Sequence, residues 1–350
     1  MTATDRIGAS VLTLAIGAGG AALFWLIGFP AAPLTGPATA VTLATVLGLP
    51  LRVPGPIRDL CFLTLGIGIG ASVTPEVLQT ALTWPLSLAL LSLALYLSIL
   101  AAQRTLISRF QFDRITALLS ATPGHLSYMI GLSTDLKSDV SRVAIVQSVR
   151  VLMLTLLVPI ILTIWGVEGG AVLAKYGRQS WPLIFATFVV SALVGFCFQR
   201  LRIPAAFLLA GMAVSAVGHA TNLTPGTLPP WLTIAAFVVM GSLIGTRFSG
   251  LTWPQIRASL WAGVVVTLIA CAIAAVAAFV AAEILGLSPA VLMLAFAPGG
   301  VEVMAAMAVQ TGLEPAFVAA HHVLRLLVLT FLIPVLLRAE RSRPAASDDP

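Results

Sequence analysis

Charge is what this chain has least of: Asp, Glu, Lys and Arg make up 9% of its 350 residues, against about a quarter in a soluble domain. Residues 7–51 contain none of the four, nor do residues 259–282. That excludes an ordinary soluble domain with a charged shell. Cysteine is nearly absent as well. Cys61, Cys197 and Cys271 are the whole set of three; their odd number and apolar settings rule out a disulfide framework, and small buried side chains are expected. Four His without a Cys/His cluster support no zinc or copper site, so neither metal nor cofactor is expected, nor an enzyme built on one. The longest polar stretches, 103–114, 167–180 and 339–350, are too short to fold alone. The formal charge of +6 therefore does not argue for nucleic acid. Its basic residues stand singly in short loops, as membrane topology distributes them.

What is present is apolar: 59% of the chain. About twenty uncharged residues already span a bilayer, so residues 7–51 hold two passes, with Pro30 and Pro33 as the natural place to turn. The first run is too long for a signal-peptide core and reads as an uncleaved span. Hydrophobic runs between breaks give six segments in each half. The expected organisation is one membrane repeat over 7–166, a linker over 167–180, a second repeat over 181–338 and a disordered tail over 339–350.

The two halves are degenerate copies. Gly66 and Gly70 return as Gly241 and Gly245, and Ala121-Thr122-Pro123-Gly124 as Phe296-Ala297-Pro298-Gly299, each 175 positions on. Arg150, Thr155 and Pro159 match Arg325, Thr330 and Pro334 at the same offset. The paired glycines allow close helix approach and read as packing. The Pro-Gly breaks interrupt the fifth segment of each half, as a broken crossing helix or a re-entrant hairpin.

Short cytoplasmic loops are enriched in Lys and Arg. Arg52, Arg58, Arg104, Arg109 and Arg114 mark alternate loops of the first half, and Arg200, Arg202, Arg247 and Arg257 mark the other ones in the second. The halves are thus expected to be inverted, which needs an odd number of crossings each. The fold expected is an all-α polytopic membrane protein: two inverted repeats of about five transmembrane helices, plus one Pro-Gly-broken or re-entrant helix each. Lys175 and Arg178 fit this least well, falling outside.

Arg150 and Arg325 stand near the middle of equivalent apolar spans. A charge at that depth is costly and faces a protein interior with a partner. Gln147 shares a face with Arg150, and His321 and His322 stand on the Arg325 stripe. Glu302 is the lone acid of the second Pro-Gly segment. Two deep arginines against one deep acid leave a positive charge that an anion would satisfy, guanidinium pairing bidentately with carboxylate or phosphate; Asp135 or Asp139 could serve instead. Unwound backbone at Pro123, Gly124, Pro298, Gly299 and Gly300 is tolerated in a membrane only beside a cavity or buried protein, and half-helix N-termini there would face an anion. His125 could shuttle a proton or bridge the break. A structural ion pair, a carbonyl-bound arginine and a simple kink are the plainer alternatives.

The tandem Pro-Gly segments, each followed by a Val-Ala…Arg…Leu…Pro helix (121–159 and 297–334), together with the glycine-rich third segments, resemble the AbrB-type duplicated bacterial membrane proteins over about residues 10–338. Members are variously labelled regulators of gene expression or ammonia monooxygenases. The layout is similar to that of inverted-repeat cation/proton antiporters, bile-acid symporters and citrate symporters. Val143–Trp165 lacks a paired-Asp cation site, against a simple sodium/proton antiporter. The expectation is a multi-pass bacterial inner-membrane secondary transporter of a small organic anion, coupled to a proton or sodium ion. Arg150, Arg325, Gln147, His322 and the Pro-Gly breaks would bind the solute, and Glu302 and His125 would couple the ion. Its partners are then the lipid bilayer, the solute and the ion, with no nucleic acid and with a homodimer left open. A membrane regulatory or sensory protein without net transport is the alternative.

Overall fold

A computed structural model describes residues 3–73, 84–124, 126–167 and 177–341. Among them are fourteen α-helices and no strand. In the first half these are α1 (Ala3–Leu26), α2 (Ala32–Val46), α3 (Gly55–Gly70), α4 (Pro85–Phe110), α5 (Arg114–Ala121), α6 (Leu126–Asp135) and α7 (Val140–Ile164). The second half repeats them as α8 (Trp181–Arg200), α9 (Ala206–Ala220), α10 (Pro230–Gly245), α11 (Trp253–Leu285), α12 (Pro289–Phe296), α13 (Val301–Thr311) and α14 (Pro315–Arg341). Shifted by 175, the limits of α3 and α5 coincide with those of α10 and α12. Left-handed residues also recur in place: Ala31 and Ala205 before α2 and α9, Gln111 and Gly286 after α4 and α11. Seven helices are long and apolar enough to cross a membrane by length and composition, so the chain is a multi-pass membrane protein.

Equivalent helices run in opposite directions. Val143 near the start of α7 clusters with Ile333 and Leu337 near the end of α14. Leu106 near the end of α4 clusters with Ala262 near the start of α11. Cys61 of α3 donates to the carbonyl of Ala236 in α10 at 3.1 Å, an equivalent pair, so the relating axis passes between these helices. The halves are inverted.

Two bundles result. α1–α3 and α8–α10 pack as one panel, α3 on α9 just as α10 packs on α2. A Cβ on Gly66 would come 2.2 Å from the Leu208 carbonyl oxygen, and one on Gly241 2.3 Å from that of Leu34. The paired glycines are thus where backbones touch, as the packing reading expected. α4–α7 and α11–α14 form the second bundle around the crossing of α4 and α11.

The Pro-Gly segments dip in and return. Asp139, just before α7, donates its backbone N–H to Thr116 Oγ1 in the first turn of α5 at 3.0 Å. The hairpin therefore enters and leaves at one membrane face. Eight residues of α5 reach only about 12 Å, well short of a bilayer core of about 30 Å. Asp113 and Asp139 cap α5 and α7 from their own side chains.

Three expectations need correction. Cys197 is exposed and Cys271 half-exposed, because the outer face of a membrane helix is apolar and meets lipid rather than core. Asp139 pairs with Arg142 at 3.2 Å at the membrane edge, and Asp135 is exposed, so neither reaches the central arginines. α14 continues to Arg341, into the stretch read as tail. His125, Lys175 and residues 342–350 lie outside the described residues.

Arginine-rich ends gather on one face, where the end of α2, the end of α10 and the start of α11 meet the start of α7 through Val46, Phe248, Ile256 and Ile145. In a variant without native cysteines, single cysteines near Arg109 and near Arg257 are both expected to be shielded from an impermeant external thiol reagent. One near Glu283 is expected to react. Reaction at Arg257 with protection at Glu283 would leave the halves parallel and overturn the inversion.

Candidate functional site

Each hairpin tip is held by the helix that follows it. Gln147, two turns into α7, donates Nε2–H to the carbonyls of Leu119 at 2.9 Å and Thr122 at 2.7 Å. Leu119 stands in the last turn of α5, where carbonyls have no partner within the helix, and Thr122 is its C-cap. His322, the equivalent of Gln147, has Nε2 3.0 Å from the Leu294 carbonyl. Arg325 donates Nη1–H to Ala297 O at 2.8 Å and Nη2–H to Gly299 O. The tips are packed by matching methionines. A Cβ on Gly124 would meet Met129 Cε at 2.5 Å and one on Gly299 would meet Met304 Cε at 2.8 Å, so each methionine packs directly on its glycine.

Arg150 and Arg325 are 3% and 2% exposed, deep enough that neither guanidinium can rely on water. Arg150 donates Nη2–H to Gln147 Oε1, and among the described residues the Nε of each arginine has no hydrogen-bond partner. The two guanidiniums lie within mutual Coulombic reach. Inversion thus brings together residues from the two halves, as the shared central site requires. The tips meet there too. Pro123, Pro298 and Arg325 line one small cavity with Leu95 and Ser98 of α4, Ala274 of α11 and Phe296. At ≈ 10 Å³ it has room for about one water molecule.

Glu302 sits in the first turn of α13, where a carboxylate meets the positive end of the helix. It is buried, and its Oε2 lies where a Cβ on Gly300 would fall, 2.9 Å away. Its charge acts on Arg325 and also on Arg247. Arg247 was read only as a loop marker. A 3-10 turn, Thr246–Phe248, follows α10 directly and keeps this arginine partly buried beside the second bundle. The one signal in the sequence was its place directly after the close-packed Gly241-x-x-x-Gly245. Of the remaining candidates, His125 cannot be placed. No three His, Cys, Asp or Glu among the described residues are grouped to hold a metal.

Two inverted helical repeats, each carrying a re-entrant hairpin whose tip reaches a common buried arginine site, define the class: a duplicated, multi-pass α-helical membrane protein. The chain belongs to the AbrB family, whose profile, described as "Transition state regulatory protein AbrB", matches residues 34–340. It is similar to "Putative regulator AbrB" of Escherichia coli (strain K12), 25% identical over 326 residues, 90% of this chain and 91% of that protein. It is also similar to "Uncharacterized protein YhjN" of Bacillus subtilis (strain 168), 27% identical over 290 residues, 77% of this chain and 75% of that one.

Proposed function

We propose that the protein is an ion-coupled secondary transporter of a small organic anion in the bacterial inner membrane. One observation carries the reading: Arg150 and Arg325 are buried within Coulombic reach of each other, and Glu302, the carboxylate that acts on Arg325, is shared with Arg247. A buried excess of positive charge is costly unless an anion joins it. The site lies where two inverted repeats meet, and such repeats let one bundle rock or slide past the other around a fixed site. The small cavity then corresponds to a closed arrangement.

Glu302 couples the ion in this reading. As a carboxylate it competes with the solute for the guanidiniums. Neutralised by a proton, or screened by a sodium ion, it leaves them to the solute. Solute and cation therefore favour each other, as linkage requires.

A panel of organic acids tested by thermal shift on the purified protein is expected to raise the melting temperature with at least one carboxylate. About 2.7 kcal/mol of stabilisation corresponds to a ligand at a hundred times its Kd. No shift from any anion would remove the solute. The names of the family and of the Escherichia coli relative favour a second reading, a membrane regulatory protein that binds a ligand without flux. It would shift in the same panel yet show no uptake of that acid in proteoliposomes.

A further inference from the structure

His321 on α14 is fully buried one helical turn from Arg325, and the reading above does not use it. Its Nδ1 is 2.9 Å from the Phe317 carbonyl and its Nε2 2.8 Å from Ser87 Oγ on α4. Ser87 Oγ is in turn 2.8 Å from the Trp84 carbonyl, which already accepts the Leu88 N–H.

Both carbonyls can only accept, and the serine hydroxyl holds one proton. A neutral ring that donates from Nδ1 to Phe317 must accept the serine proton at Nε2, leaving two oxygens in 2.8 Å contact with nothing between them. The other tautomer sets a bare Nδ1 lone pair against the Phe317 carbonyl. Only the doubly protonated ring satisfies every contact. It donates from Nδ1 to Phe317 and from Nε2 to Ser87, and Ser87 donates to Trp84. The Phe317 ring packs against it with centroids 4.0 Å apart, and the Trp84 and Phe296 rings stand further out at 6.1 and 6.2 Å. Aromatic faces favour a cation.

We propose that His321, with Ser87, is a proton-binding site, and that the coupling ion of the transport cycle is the proton. The inference rests on the transport reading for its second half. Ser87 lies on the face of α4 that continues at helical spacing to Leu91, Ala94, Leu95 and Ser98, the α4 wall of the central cavity. Phe296 both stacks on His321 and lines that cavity. A proton on His321 is therefore one aromatic ring from the anion, at the end of the site away from the arginine-rich face. Each makes the other's binding more favourable.

The charges around it do not provide a substitute. α12 carries no charged residue, and the charged residues of α4 lie at its far end, Arg104 and Arg109. Glu302 on α13 acts on Arg325 one turn on. Arg58 and Asp59 of α3 and Arg114 of α5 are near the opposite face. On α14 itself the neighbour is His322, which feels the His321 charge, and Glu314, just before the helix and two turns from His321, is exposed. Burial opposes a charged ring, so the three donated hydrogen bonds and the aromatic rings must offset that cost.

The test uses 15N-histidine-labelled protein in lipid nanodiscs, with no organic anion added, titrated from about pH 8.5 to about pH 4.5. One imidazole, absent from the His321→Gln spectrum, is expected to pass to the form with both nitrogens protonated. Ser87→Ala, which removes the acceptor of the Nε2 proton, is expected to lower its midpoint by about one pH unit. A ring that stays neutral throughout, or a midpoint that ignores Ser87→Ala, overturns the proposal and leaves a neutral cross-link between α4 and α14. With no anion present, neither outcome depends on the transported solute. Failure of the transport reading would show instead in the arginine variants below, with the His321 titration intact.

Discussion

Arg150→Lys is expected to cost the protein its anion affinity while leaving its melting temperature near wild type, and Arg325→Lys is expected to cost both. The two arginines are equivalent in sequence but not in bonding. Arg325 holds the second hairpin tip by donating to the carbonyls of Ala297 and Gly299. A lysine keeps the charge but not the planar fork that serves both at once. Each buried carbonyl left without a donor costs about 1–3 kcal/mol. Arg150 instead binds a side chain, Gln147, and the first tip is held by Gln147 itself at Leu119 and Thr122. Removing Arg150 leaves that tip anchored. Binding should fall for both, because an ammonium cannot pair bidentately with a carboxylate as a guanidinium does; the Ala variants, which delete the charge, should lose about 2–5 kcal/mol, roughly thirtyfold or more in Kd. The measurement is affinity for whichever acid shifts the melting temperature most, alongside the melting temperature of each free variant. Affinities within twofold of wild type for Arg150→Lys and Arg325→Lys, in protein that stays monodisperse, would reduce both residues to scaffolding.

Much of this architecture was legible from residue types that tolerate no substitute at their position. Proline and glycine at the tips, glycine where backbones touch and arginine at mid-span carry the repeat at a constant offset. The alternating arginine loops carry the inversion. What stayed open depended on contacts between residues distant in the chain. A broken crossing helix and a re-entrant hairpin have the same composition. The decision comes from Thr116 meeting Asp139 across 23 positions. Arg247 was hidden for a different reason. A basic residue after a hydrophobic run looks like a topology marker whether it ends exposed or, as Arg247 does in the short 3-10 turn, partly buried. Ser87 and His321 are 234 positions apart, and the equivalent of His321 in the first half is the apolar Val146, so the internal repeat gave no hint of a polar pair.

Glu302→Gln is expected to abolish accumulation against a gradient while leaving anion binding as strong as wild type or stronger. The amide has nearly the shape of the protonated carboxyl but can neither release a proton nor hold a cation. In the wild type, protonating Glu302 removes the one described carboxylate that competes with the solute for Arg325 and Arg247. Anion affinity should therefore rise when that carboxylate is neutralised. In the variant that competitor is absent, so affinity should match or exceed that of the wild type. Turnover should fail because the empty carrier holds guanidiniums without a charge to balance them, which binds solute firmly and hinders its release. Proteoliposomes loaded with the variant should equilibrate solute at best, whereas wild type should concentrate it when a pH gradient is imposed. The variant should insert but melt lower than wild type, since it forfeits both the interaction of a carboxylate with the helix N-terminus and the partner of a buried guanidinium, the latter costing about 3–5 kcal/mol. Concentrative uptake at the wild-type level by Glu302→Gln would remove this residue from the coupling. A fall in binding at all pH values would instead show that the carboxylate positions the solute rather than competing with it.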